Sequence, residues 1–490
     1  MQSRDLRNDI AAIVGAAHVL TSAEDLAPYV TDWRDRYHGA ARLVVRPANA
    51  VEVSAVVRLC FERNVPIVPQ GGNTSLCGGA TPDTSGESIV LRLDRMNRIR
   101  EISAVDGTML VEAGCILQTL QEAAAAAGLL FPLSLGAEGS CQIGGNISTN
   151  AGGTAVLRYG PTRDLVLGLE VVLPDGSLCD WLTPLRKNTT GYDLKQLFVG
   201  AEGTLGIITA AAVKVFPQPA QSATAMVTLD GPEAALTLLA RLRTTLGDRL
   251  SSFEIINRAQ TDIAIAYVPG NSLPFAESAP WYLLVEVTDT LTRYDLRDAL
   301  ENALAEALEL GIITDAVVAA SEAQAAALWR VRHSVSEGNK RAGFGVSHDT
   351  AVPLSAQAAF ARTIEQRIPA EFPDAKLLMV GHIGDGNLHV VVLLDPERYT
   401  PDALQEAARR INAIVDEVTL GLRGTISAEH GIGQTNKKRL RAGRGDLDVA
   451  LMQRIKAALD PAGLLNPGKI FDLPGRPAVL DRSAAHDMDP

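Results

Sequence analysis

The chain has 490 residues, 47% of them hydrophobic and 21% charged, and carries a formal net charge of −12. That length exceeds what one hydrophobic core organises and implies two or three domains, while the composition is that of a globular protein. An acidic chain lacks the broad basic face that phosphate neutralisation demands, which argues against a nucleic-acid partner; a few converging cations can still hold a small acid. The cysteines (Cys60, Cys77, Cys115, Cys141, Cys179) are odd in number and show no C-x-x-C spacing. Neither a disulfide framework nor a cysteine zinc site is indicated, and a reducing compartment fits. Asp5 and Asp9 interrupt the N-terminal arginines, and the most apolar stretch, residues 123–137, is too short to span a bilayer. No signal peptide or transmembrane segment is expected, and the cytoplasm is the expected location.

In chain order, residues 1 to 40 read as peripheral helix. Residues 43–46 read as a strand, 51–63 as a helix and 66–69 as a second strand, a β-α-β start. Strand-like runs follow at 88–93 and 108–113, then an amphipathic helix over 116–127. Glycine is dense from Gly136 to Gly160, and a strand over 167–173 ends at the turn Pro174-Asp175-Gly176. The character changes at Phe216-Pro217-Gln218-Pro219. Beyond it, strands at 223–228 and 282–288 alternate with helices at 232–246 and 294–310, which indicates a separate α+β domain. After residue 425 glycine returns, and a polar tail follows Phe471.

Three glycine-rich segments lie next to strands. They are Pro69-Gln70-Gly71-Gly72-Asn73-Thr74-Ser75, the run Gly136 to Gly153, and Gly200-Ala201-Glu202-Gly203-Thr204-Leu205-Gly206 continuing to Thr209. Consecutive glycines permit positive φ and leave N–H groups uncovered, so a phosphate can sit against the backbone. None of the three is a G-x-G-x-x-G or a G-x-x-x-x-G-K-S motif. Turns and bulges explain any one of them; three in one half of the chain fit a large ligand lying along backbone better.

Together with Lys187-Asn188-Thr189-Thr190-Gly191-Tyr192-Asp193-Leu194, these segments resemble the FAD-binding domain of vanillyl-alcohol-oxidase-type flavoproteins over residues 40–220. The resemblance implies a two-part domain in which loops, not a Rossmann helix, hold FAD. Gln70, Gly71, Gly72, Asn73, Thr74 and Ser75 would meet the pyrophosphate. Gly136, Ser140, Gly144, Gly145 and Asn146 would lie along the cofactor, and Ile208 near its adenine half. Some relatives attach FAD through a histidine in the first loop; Asn73 stands there, so FAD is expected to be non-covalent, and Cys141 reads as a small buried thiol.

Five of the eight histidines fall between residues 333 and 430. His382-Ile383-Gly384-Asp385-Gly386-Asn387-Leu388-His389 lies between apolar runs and reads as strand, turn and strand, which lets two imidazoles converge. Glu429, in Ser427-Ala428-Glu429-His430-Gly431, is a third ligand candidate. Two imidazoles and a carboxylate suit a divalent catalytic metal, zinc first and manganese second. On a helix expected over residues 323–339, Leu328, Arg332 and Ser336 recur at i, i+4 and share a face. That arginine reads equally well as a snorkelling side chain or as the partner of an anion.

This half resembles the FAD-linked oxidase C-terminal domain shared by D-2-hydroxyglutarate and D-lactate dehydrogenases and the glycolate oxidase flavin subunit. The matching motifs are His382 to His389, Glu429-His430-Gly431 and Leu465-Asn466-Pro467-Gly468-Lys469. The resemblance implies that His382, His389 and Glu429 bind the metal, His430 is the base, Asn466 meets FAD, and Arg332 grips a substrate carboxylate with Ser336 and Asn387 beside it. The chain is accordingly expected to be α+β: an FAD-binding domain over 1–220, a substrate- and metal-binding cap domain with an antiparallel sheet over 221–424, a return to the FAD domain over 425–475, and a tail over 476–490.

The implied reaction is oxidation of a D-2-hydroxy acid to the 2-oxo acid, with D-2-hydroxyglutarate first and D-malate or D-lactate next. An electron-transfer flavoprotein or a quinone would accept the electrons, and a homodimer is an assembly the sequence allows. A glycolate oxidase flavin subunit is the alternative enzyme. A non-catalytic flavin-binding scaffold is the alternative class, which Arg332, His382, His389, Glu429 and His430 together argue against. One position departs from the pattern. D-2-hydroxyglutarate dehydrogenases are expected to carry a lysine two residues before the aspartate of an Asp-x-x-x-Pro run, and here Ser347-His348 precede Asp349. Recognition of a distant second carboxylate then falls to His348, Lys340 or Arg341.

Overall fold

The computed structural model describes residues 5–472, which divide into two compact units. The first comprises residues 5–151, 161–217 and 429–472, and the second residues 152–160 and 218–428. The tail expected over 476–490 lies outside the described residues.

The first unit opens with helices Leu6–Val14 and Ala23–Val30. They are not merely peripheral: Ile10 is fully buried, and Val19–Leu20 joins the edge of a sheet. The β-α-β start forms as strand Val44–Val45, helix Ala50–Glu62 and strand Ile67–Gln70. Asn49 caps that helix by accepting from the Glu52 amide at 2.9 Å, and Glu52 returns a carboxylate to the Ala48 amide at 2.8 Å. Val53, Val56, Val57 and Cys60 form its buried stripe. Val44–Val45 and Ile67–Gln70 both run parallel to Ile89–Arg92. A second, antiparallel sheet has the order Ile99–Ser103, Thr108–Glu112, Ile207–Lys214, Val166–Val172, Leu178–Asp180.

The second unit is built on a seven-stranded antiparallel sheet. Its order is Asp315–Val318, Gln221–Leu229, Trp281–Asp289, Leu250–Asn257, Lys376–His382, Asn387–Leu394, Phe344–Ala351. The strands alternate with period two. Phe253, Ile255, Leu283, Val285, Val390 and Val392 face one way, into the core shared with helices Pro232–Leu246, Leu296–Glu309, Gln357–Glu371 and Pro401–Gly421. The intervening residues, including Glu254, His382, His389 and Asp349, face the other way. Ile256 and Val380 on that second face pack with Val335.

The helix expected over 323–339 is two helices, Glu322–His333 and Val335–Ala342, joined at Ser334. The Ser334 hydroxyl donates to the Arg330 carbonyl at 2.7 Å, a back-bond that competes with helix geometry. Ser336 therefore lies beyond the break, exposed, and does not continue the Leu328–Arg332 stripe.

Asn257 ties this sheet together. Its side chain accepts from the Gln260 and Met379 amides and donates to the Leu377 carbonyl, at 3.0, 3.1 and 3.0 Å. Asn257→Ala would remove a helix cap and leave two buried backbone groups unpaired, at about 1 kcal/mol for the cap and about 1–3 kcal/mol for each orphan. Denaturant unfolding should show a loss of about 3–7 kcal/mol by this sum; a loss below about 0.5 kcal/mol would contradict the role.

Candidate active site

Register places two acid–imidazole pairs on one face of the seven-stranded sheet. Glu254 stands directly across from His382, and Asp349 directly across from His389. Opposed residues share a face, so each carboxylate meets its imidazole. His382 Nδ1 is 2.6 Å from Glu254 Oε1, and His389 Nδ1 is 3.6 Å from Asp349 Oδ1. The two rings lie 5.9 Å apart at 80°. Between their strands the turn at 383–386 needs Gly386, which has φ of 93° and whose Cβ would lie 2.6 Å from the Val352 carbonyl.

Glu254 is buried and holds two partners. Its Oε2 accepts from Arg332 Nε at 2.7 Å while its Oε1 meets His382. Burial pushes its carboxyl up, but His382 and Arg332 outweigh that and hold it at about 2. Ionised, it only accepts, so the proton in the short contact belongs to His382 Nδ1. That orientation makes Nε2 the acceptor nitrogen of a neutral ring. Neither terminal nitrogen of Arg332 is hydrogen bonded to protein among the described residues.

Asp349 accepts from Asn387 Nδ2 at 3.1 Å and from the Ser427 hydroxyl at 3.3 Å, and its carbonyl accepts from the Ala428 amide at 3.1 Å. The chain runs directly from Ala428 into Glu429 and His430. Within the second unit Asp349 and His389 set a carboxylate and an imidazole side by side. An imidazole-and-carboxylate donor set of this kind suits a divalent transition metal.

The first unit carries the glycine loops. The backbone N–H groups of Gly71, Gly72, Asn73, Thr74 and Ser75 make no hydrogen bond to protein among the described residues. Five consecutive uncommitted amides offer donors that an anion such as a phosphate can take. Asn73 has φ of 58°, and its Nδ2 donates to the Thr31 carbonyl at 2.8 Å. A Cβ on Gly72 would lie 2.3 Å from the Ser140 carbonyl oxygen, so the first two glycine segments touch through backbone. Gly136 and Gly145 face open space. Cys141 is buried, which pushes its thiol up to about 11 and keeps it protonated and unreactive.

Several expected residues are used otherwise. Gln70 donates to the Tyr29 and Ala80 carbonyls, both at 2.9 Å, and holds the loop from beneath. Asn466 donates to the Gly79 and Glu202 carbonyls at 2.9 and 2.7 Å, so it too braces loops. Ile208 is buried in its strand. Asn387 spends both amide protons on Asp349 and the Thr350 carbonyl, at 3.1 and 2.8 Å, and orients Asp349. His348 is buried on the helix-packed face with Nδ1 3.2 Å from the Val390 carbonyl, while Ser347 is exposed on the face of Asp349. Sequence reasoning missed Glu254 and left Asp349 and Glu202 without roles. Glu202 accepts from the Ile432 and Gly433 amides at 2.7 and 2.8 Å, anchoring the segment after His430, and burial raises its carboxyl.

A loop of uncommitted amides beside a parallel sheet, with a separate antiparallel sheet bearing acid–imidazole pairs, fits the flavoprotein fold of the vanillyl-alcohol oxidase type. Residues 41–181 match the FAD binding domain family, and residues 218–470 match the family described as FAD linked oxidases, C-terminal domain. The chain belongs to this FAD-linked oxidase family and is an FAD-linked oxidoreductase. It is 38% identical over 467 residues to the mitochondrial D-2-hydroxyglutarate dehydrogenase of Bos taurus, covering 95% of this chain and 83% of that protein. It is also 38% identical over 468 residues to the D-2-hydroxyglutarate dehydrogenase of Xanthomonas citri pv. viticola, covering 95% and 97%. The fold is shared with p-cresol methylhydroxylase, with a TM-score of 0.72 and 17% identity over 95% of this chain and 96% of that one.

Gly72→Ala tests the loop of amides, since the added methyl must displace loop backbone at a cost of about 1–3 kcal/mol. FAD titration of the apoprotein should show binding weakened about tenfold or more. An unchanged dissociation constant would contradict the loop contact.

Proposed function

We propose that this chain oxidises a D-2-hydroxy acid to the 2-oxo acid, with D-2-hydroxyglutarate as first substrate, and passes electrons to an electron-transfer flavoprotein or a quinone. The observation that carries the reading is the shared sheet face. It carries His382 and His389, each met by a carboxylate at Nδ1, beside an Arg332 whose terminal nitrogens have no protein partner among the described residues. The names of the two D-2-hydroxyglutarate dehydrogenases support the substrate class.

His382, His389 and Glu429 would hold the metal, with Asp349 as the competing carboxylate. FAD when bound supplies the hydride acceptor, and a divalent metal, zinc first, supplies charge that acidifies the substrate hydroxyl. Arg332 is held by Glu254 through Nε, which leaves its two terminal nitrogens to grip the 2-hydroxy acid's carboxylate in bidentate fashion. His430 accepts the hydroxyl proton as the C2 hydride departs. A monocarboxylic substrate such as D-lactate is the second reading, favoured by Ser347 on the site face where a lysine would reach a distant carboxylate.

Each acid should be supplied as its D and L forms with an artificial electron acceptor, and the 2-oxo acid quantified. The expectation is 2-oxoglutarate from D-2-hydroxyglutarate alone, and a rate about 100-fold or more lower in His430→Ala with FAD retained. Pyruvate formed from D-lactate with no 2-oxoglutarate would install the second reading. Oxidation of L-acids alone, or full activity in His430→Ala, would overturn the assignment.

A further inference from the structure

Glu254 belongs to none of the motifs that mark this family in the sequence. Its carboxylate nevertheless touches both Arg332 and His382. Its two oxygens point to different tasks: Oε1 lies 2.6 Å from His382 Nδ1, and Oε2 lies 2.7 Å from Arg332 Nε. It sits at the middle of the sheet, in register with His382, on a strand whose neighbouring residues Phe253 and Ile255 lock it from the opposite face. No other polar contact to its carboxylate occurs among the described residues.

We propose that Glu254 is a positioning residue that serves the metal and the substrate carboxylate at once, by fixing the tautomer of His382 and the aim of Arg332. The inference rests on the reading of His382 as a metal ligand and Arg332 as the carboxylate clamp. An imidazole that donates Nδ1–H to a carboxylate presents Nε2 as a lone pair, and loss of such an outer partner weakens metal binding about 10- to 100-fold. A guanidinium tethered through Nε keeps its two terminal nitrogens parallel and outward, the geometry that a carboxylate accepts. A glutamine cannot do both. Its single oxygen serves one partner and its amide group turns a donor toward the other, which would either strand Arg332 or drive His382 to the Nε2–H tautomer.

The test is Glu254→Gln in the FAD-loaded protein, with two readouts besides turnover. Chelator competition with zinc should show metal affinity lowered about 10-fold or more. Perturbation of the flavin spectrum by 2-oxoglutarate, with KM set against kcat, should show weaker carboxylate binding. Zinc and 2-oxoglutarate affinities both within twofold of the parent, in a variant with normal FAD content, would overturn the proposal. A parent protein that binds no divalent metal would instead overturn the site reading on which it rests. Should Glu254→Gln fail to fold, the parent answers alone. Long-range nitrogen–proton correlation on the metal-free protein labelled with 15N-histidine, with the signal assigned by its loss in His382→Gln, should show the proton on Nδ1. A proton on Nε2 would overturn the proposal.

Discussion

A carboxylate taken out of water must be met by charge and hydrogen bonds, or it protonates or destabilises the fold. Glu254 is met twice, by Arg332 and by His382, and this three-way contact organises the working face of the larger sheet. The strand that carries Glu254 pairs with the strand ending in His382, which turns at Gly386 into the strand of Asn387 and His389. That strand pairs in turn with the one holding Asp349. One face of four adjacent strands thus gathers the charged groups, while the other is apolar and fixed by helices.

The first unit works by leaving groups uncommitted. Most backbone donors in a folded chain are paired, yet the loop at 71–75 offers five in succession to no protein acceptor among the described residues. Its stiffness comes from side chains turned inward. Gln70 and Asn73 bond to surrounding carbonyls, and Arg92 donates to the Gly71 carbonyl. The loop is therefore formed before an anion arrives, which limits the ordering cost of binding a phosphate.

Much of this was legible in the sequence where the chemistry is local. Consecutive glycines after a strand, and two histidines around a Gly-Asp-Gly turn, carry their meaning within a few residues. What was hidden is long-range. Glu254 reads as the polar side of a half-buried strand, and its partners stand 78 and 128 positions away. Asn387 and Gln70 looked like ligand contacts because an amide is chemically able to be one, and only the neighbouring carbonyls reveal that their donors are spent. The helix break at Ser334 was masked by good helix formers on both sides; one buried hydroxyl decided it. His348 fails as a substrate contact through strand parity alone, since it alternates away from Asp349.

The proposed reaction removes a hydride from C2 of a D-2-hydroxy acid with the help of a bound divalent metal. Anaerobic reduction of the flavin tests it most directly, since no acceptor need be known. The visible absorbance should bleach on addition of D-2-hydroxyglutarate, stay unchanged with the L form, lose the response after chelation and regain it with zinc. Bleaching that survives complete metal removal at the full rate would contradict the metal's part in the reaction. No bleaching by D-2-hydroxyglutarate, D-malate, D-lactate or glycolate in protein loaded with both FAD and zinc would contradict the substrate class itself.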